Sequence, residues 1–112
     1  MDTEYLEING RKYEMNCKGY LVEPLQWDVQ VRDHFAKEEK IELTDNHHKV
    51  LELIRTFYLK NNEHPVLRAI TNAMAETFSP DKANIKYFHV LFPGGVHQAY
   101  RIAGIPMKHS CC

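Results

Sequence analysis

Apolar and polar residues alternate over Glu4-Tyr-Leu-Glu-Ile8, and a second short run, Arg11-Lys-Tyr-Glu-Met15, follows directly after Asn9-Gly10. Period-two alternation lines one face of a strand. Asn-Gly between two such runs predicts a tight hairpin, because both residues tolerate the positive φ that the turn needs. A two-stranded hairpin is marginal alone, so it must pack on the rest of the chain. Cys17-Lys-Gly-Tyr20 reads as a turn leading away from it.

From about Trp27 the period lengthens. Trp27, Val31 and Phe35 recur near every fourth position, which predicts a helix running to about Lys40. Thr44 is a good N-cap for a long helix from Asp45 to about Asn61, with Asp45 suited to the positive end of the helix dipole. Its apolar face comprises Val50, Leu51, Leu53, Ile54, Phe57 and Tyr58. Pro65 opens a third helix reaching about Phe78, with Val66, Leu67, Ile70 and Met74 facing inward. Ser79-Pro80-Asp81 reads as a cap and first-turn proline for a fourth helix ending near Phe92, where Pro93-Gly94-Gly95 breaks it. A short fifth helix covers roughly Val96 to Ala103, and Gly104 stops it.

The last eight residues, Ile105 to Cys112, carry Pro106 and no periodicity, and are read as a mobile arm. The expected fold is therefore mainly α: a small orthogonal bundle of about five helices with an N-terminal β-hairpin and a flexible C-terminal arm. One domain is expected over 1–104 and the arm over 105–112.

Composition changes this picture little. With 112 residues and 44% hydrophobic content, the chain can build one core and has no need to stay disordered. A net charge of −1 gives no general drive toward nucleic acid or anionic lipid. No apolar run is long enough to span a membrane, so no membrane partner is expected. The acidic start, Met1-Asp-Thr-Glu4, is unlike a secretory signal, so a cytoplasmic, reducing location is expected. Three cysteines, two of them at the very end, do not resemble a disulfide framework.

That pair, Cys111-Cys112, is the most informative chemistry. Exposed thiols are a liability unless a thiol must reach into a partner's site. A tethered thiolate can attack a persulfide, take its terminal sulfur and present it elsewhere. Thiolate character needs nearby cations, and Lys108 and His109 stand close in sequence, with Arg101 further back. A tail whose cysteines have no role is the competing reading. A zinc site built from His109, Cys111 and Cys112 would need Cys17 or His97 to complete it, and adjacent cysteines suit one tetrahedral centre poorly. His47 and His48 diverge by about 100° on a helix, so one is expected to pack and the other to meet solvent. Arg55, Arg68, Lys82, Lys86 and Arg101 are either solvated helix faces or a cationic groove for an anionic persulfide or RNA phosphate. Helices three and four, joined by a short turn, also mimic a helix-turn-helix.

Read together, the pieces resemble the DsrC/TusE family of sulfite reductase gamma-subunit-like sulfur carriers. The resemblance runs from Ile8-Asn-Gly-Arg-Lys-Tyr13 and Lys18-Gly-Tyr-Leu21 through Trp27, Ile41-Glu-Leu-Thr44, His47, Ile54-Arg-Thr-Phe-Tyr58, Pro65 and Arg68. It continues with Lys86-Tyr87, Leu91-Phe-Pro93, Gln98-Ala99 and Ile102-Ala-Gly-Ile-Pro106, and ends at penultimate Cys111. The chain departs from the family pattern at His48, at Phe92-Pro-Gly-Gly-Val96, at His97, at Met107-Lys108 and at Cys112.

The resemblance implies a helical fold with a small hairpin and an arm whose penultimate cysteine carries sulfur as a persulfide. Members serving dissimilatory sulfur metabolism have a second cysteine eleven positions earlier, and here that position is Tyr100. The single-cysteine pattern is similar to TusE, which implies a sulfurtransferase role relaying sulfur toward 2-thiouridine in tRNA. The implied partners are a TusBCD- or DsrEFH-like donor complex and, as acceptor, a tRNA 2-thiouridylase or a sulfite reductase, with any contact to tRNA indirect. No bound cofactor or metal is implied. Cys111 would be the carrier, with Cys112 either resolving its persulfide or standing by. Arg101, Lys108 and His109 are candidates for lowering its pKa or steering the arm, and Tyr100 would face the arm's landing site.

Overall fold

The computed structural model describes residues 4–16 and 18–106. The chain opens with two antiparallel strands, β1 (Glu4–Ile8) and β2 (Arg11–Met15), paired so that Leu6 faces Tyr13 and Ile8 faces Arg11. Asn9 and Gly10 turn the hairpin at φ of 51° and 81°, as the Asn-Gly pair predicts. Alternation does its expected work on β2, where Tyr13 and Met15 are buried and Lys12 between Arg11 and Tyr13 is exposed. The Tyr13 hydroxyl donates to Asp28 at 2.6 Å, and Asp28 in turn accepts the Val31 amide at 3.0 Å. Asp28 thereby ties the hairpin to the first helix while capping it. Burial alone would raise its pKa; the Tyr13 and Val31 hydrogen bonds and Arg11 bring it below the usual value.

Among the described residues five helices follow: α1 (Val29–Glu38), α2 (Asp45–Asn61), α3 (Leu67–Met74), α4 (Ile85–Leu91) and α5 (Val96–Ile102). A short 3-10 turn at Pro24–Gln26 precedes them. α2 has the predicted bounds, and its apolar stripe buries Val50, Leu51 and Ile54. It packs on α3 and α5, while α1 packs on α5 and α3 on α4. The core between them holds Val31, Phe35, Ile70, Met74, Phe88, Phe92 and Ile102, each essentially inaccessible to water. Full burial of side chains this size contributes about 1.5–3 kcal/mol apiece.

Several boundaries differ from those expected. The fourth helix does not begin at Pro80. Ser79 donates its hydroxyl to Asp81, residues 79–83 form tight turns, and Asn84 caps α4 by accepting the Tyr87 amide at 2.8 Å. A side-chain cap nearer the apolar run outcompetes the Ser-Pro start. The stretch between α3 and α4, residues 75–84, is therefore longer than the short turn that a helix-turn-helix requires. Val66 does not face inward: it is the N-cap of α3 and is 58% exposed, while Pro65 beside it is buried.

The domain also extends past its expected end at Gly104. Ile105 is fully buried, and its amide donates to the Tyr100 carbonyl at 3.2 Å. Ile105 thus belongs to the core rather than to an arm, because an apolar side chain placed just after the α5 stop can fold back onto it. Residues 107–112 lie outside the described residues.

Candidate functional site

The last described residues before Cys111 are positioned by α5 and the turn after it. Gly104 ends the helix at φ 73° and turns the backbone, so that Ile105 enters the core and Pro106 follows at the surface. The Trp27 indole N–H donates to the Ile102 carbonyl at 2.9 Å, and the Arg55 guanidinium donates to the Ala103 carbonyl at 2.9 Å and to Pro24 at 3.2 Å. Arg55 also lies over the Trp27 ring, 4.2 Å from its centroid. The carbonyls that a helix end leaves unpaired are thus taken up by side chains from the 3-10 turn region and from α2.

Tyr100 is buried rather than open. Its hydroxyl donates to the Pro65 carbonyl at 2.6 Å, and burial raises its pKa. The His64 and His97 rings meet it edge-on, with centroids 5.2 and 5.8 Å away. His64 Nε2 lies 2.5 Å from the Pro106 carbonyl, so this nitrogen carries the proton and donates.

Arg101, the next residue of α5, points to a different side of the helix. It donates to the Gly19 carbonyl at 2.9 Å and to Glu39 at 2.8 Å, pairs with Glu38, and covers the Phe35 ring at 4.6 Å. Its charge is already matched by two carboxylates, and its contacts join α5 to α1 and to the turn after the hairpin. Arg68, Lys82 and Lys86 are exposed, whereas Arg55 and Arg101 are largely enclosed, so the five basic residues of the sequence reading do not all line one open surface.

His47 and His48 separate as the helix geometry requires. His47 is buried; its Nδ1 accepts the Thr44 amide at 3.1 Å, and Nε2 donates to the Leu91 carbonyl at 2.8 Å. It closes a capping box at the start of α2 and fastens α4 to it. Burial lowers its pKa, with His48 adding to the effect and the Leu91 bond opposing it. His48 instead lines a half-open groove of about 350 Å³ with Trp27, Arg32, Leu51, Arg55 and Leu59.

Cys111, Cys112, Lys108, His109 and Cys17 lie outside the described residues. Among the described residues, no group of three His, Cys, Asp or Glu side chains is placed to hold a metal ion, and no helix is long and apolar enough to cross a membrane. Roles that the sequence did not assign carry much of the geometry. Arg55 read as a solvated or groove-lining cation rather than as a cap, and nothing in the local pattern around His64 marks it, since its partners lie at Tyr58, Tyr100 and Pro106.

A family model described as "DsrC like protein" matches residues 7–112. The sulfurtransferase TusE homolog of Haemophilus influenzae is 40% identical over 95% of this chain and 98% of its own length. Among solved structures, the NMR structure of Allochromatium vinosum DsrC superposes with a TM-score of 0.85 at 31% identity, covering 99% of this chain and all of that one. The oxidized gamma-subunit of the dissimilatory sulfite reductase from Archaeoglobus fulgidus gives 0.84 at 31% identity, covering 97% of this chain and all of that one.

Proposed function

This chain belongs to the DsrC-like protein family, and on that premise we propose that it is a sulfur carrier that holds a persulfide on Cys111 and relays it toward 2-thiouridine in tRNA. The observation that carries the reading is a penultimate cysteine beyond a well-packed anchor at Ile105, in a chain 40% identical to a protein named as a TusE homolog. Tyr100 in place of an upstream cysteine supports relay from a single thiol over an internal sulfur bridge.

The chemistry is exchange without net redox change. The Cys111 thiolate attacks the terminal sulfur of a donor persulfide, R–S–SH. A new S–S bond forms to Cys111 as the donor's S–S bond breaks, and the donor leaves as R–S⁻ while the proton stays on the transferred sulfur. The same exchange in reverse hands that sulfur to an acceptor thiolate. The protein therefore acts in sulfur transfer as a carrier, and needs no cofactor for the step. Lys108 and His109 are the cations assigned to favour the thiolate. Arg101, matched by Glu38 and Glu39, is assigned to holding α5 and hence the origin of the segment. Cys112 is a spectator in this reading. The donor would be a TusBCD- or DsrEFH-like complex and the acceptor a tRNA 2-thiouridylase, in a reducing cytoplasm.

A second reading is favoured by the two DsrC structures at 31% identity: service to a sulfite reductase or to sulfur oxidation. Loading is tested by incubating the chain with a persulfide donor and reading intact mass. A gain of about 32 Da, one sulfur, that disappears in Cys111→Ser supports the carrier, and no gain in the wild type rejects it. Loss of tRNA 2-thiouridine on deletion supports the first acceptor, and unchanged levels favour the second.

A further inference from the structure

We propose that His64 is a positioning residue for the Cys111 thiol: by holding the Pro106 carbonyl, it fixes where the segment 107–112 leaves the domain. The inference builds on the carrier reading, since only a working thiol at Cys111 gives that exit point a purpose.

The geometry begins at the last packed residue. Ile105 is held by its buried side chain and by its amide on Tyr100. Pro106 comes next and has no N–H, so its carbonyl is its single backbone hydrogen-bonding group. His64 Nε2 meets that carbonyl at 2.5 Å from a position 42 residues away in sequence. The contact is thus tertiary and owes nothing to the helix that precedes it.

The imidazole is itself held in place. Its ring stands edge-on between Tyr58 and Tyr100, with both centroids at 5.2 Å. The next residue, Pro65, accepts the Tyr100 hydroxyl at 2.6 Å. Two tyrosines and a proline therefore restrict the ring before the carbonyl arrives, which lowers the entropy cost of forming the contact. The contact asks for no change of charge, because either the neutral Nε2–H tautomer or the imidazolium can donate.

The consequence is one of reach. Cys111 follows Pro106 by five residues, and extended chain spans at most about 3.3–3.6 Å per residue, so its Cα stays within roughly 18 Å of Pro106. A pinned Pro106 centres that range on the His64–Tyr100 corner. Without that contact the chain stays anchored at buried Ile105 but its exit direction is freed, which dilutes the thiol at any docking partner. The exchange reaction at sulfur is unaltered in either case.

The test uses the full chain in a Cys17→Ser, Cys112→Ser background, with one nitroxide on Cys111 and a second on an introduced thiol at exposed Glu52 of α2. Pulsed electron spin resonance then reads the distance distribution. His64→Ala is expected to broaden it beyond the wild-type width as the exit direction at Pro106 is freed. His64→Gln, whose amide N–H can still donate to a carbonyl, is expected to stay close to the wild-type width. An Ala distribution that overlays the wild type overturns the proposal. So does a Gln variant as broad as Ala, because ring packing rather than the hydrogen bond would then set the exit. Persulfide loading of the unlabelled chain by a small-molecule donor is read in parallel. A wild type that takes up no sulfur sinks the carrier reading, while the distance measurement still decides whether His64 holds the exit at Pro106.

Discussion

Trp27 and Gly104 share a space that admits no further atom: a Cβ on Gly104 would lie 2.0 Å from Trp27 Cδ1 and 2.6 Å from Cγ. The indole cannot retreat easily, because its N–H donates to Ile102 and Arg55 covers its face. The backbone at Gly104 has φ 73°, so conformation and space exclude a side chain together.

Gly104→Ala is therefore expected to cost about 3 kcal/mol or more, combining left-handed backbone strain with overpacking. In a domain this small that is a fall in Tm of roughly 10–20 °C, readable by calorimetry. A variant melting within a few degrees of the wild type would show that Trp27 has somewhere to go.

His47 gives stability a pH dependence of definite sign. Burial depresses its folded-state pKa, so the unfolded chain takes up a proton first as pH falls. The contribution is fully present above the unfolded value, about 6.5, and is lost as pH drops from there through the lower folded value. Protonation would also set an Nδ1–H against the Thr44 amide that now donates to it. Asp28, also depressed, loses its contribution only in the acid range below this window. Urea midpoints at about pH 7.5 and 5.5 should fall for the wild type and change distinctly less for His47→Asn. Equal slopes in the two proteins would remove His47 from the account.

Arg101→Gln should destabilise the fold without altering the reactivity of Cys111. The pair with half-exposed Glu38 contributes little. The enclosed bonds to Gly19 and Glu39 and the cover over Phe35 contribute more, so a loss of about 1–3 kcal/mol is expected. Alkylation of Cys111 by iodoacetamide across a pH series checks the second half. Because the guanidinium charge is already matched, the apparent thiol pKa should not move; an upward shift in the variant would return Arg101 to the thiol's field.

Much of the fold was legible because its determinants are local. The hairpin, its Asn-Gly turn and the bounds of α2 follow from alternation, turn chemistry and a Thr44 cap, all read within a few residues. The misplaced start of α4 was a contest between two local signals, Ser79-Pro80 and Asn84, that pattern alone could not rank. The site was legible in a different measure. Cys111 stands out by position and by family likeness, whereas the anchor behind it did not, since Ile105 and Pro106 carry no period and read as the start of a tail.

The amino-acid order by itself determined which segments turn, which become helices, which faces are apolar, and that a thiol stands at position 111. It could do so because each of those preferences is set by dihedral limits and by periodicity over a few neighbouring residues. Only the tertiary structure decided that Arg101 is consumed by Glu38 and Glu39, that Arg55 caps Ala103, that His47 reaches Leu91, and that His64 meets Pro106. Those partners lie tens of residues apart, and a hydrogen bond or ion pair acts only at contact distance, so they exist only once the core has brought the elements together.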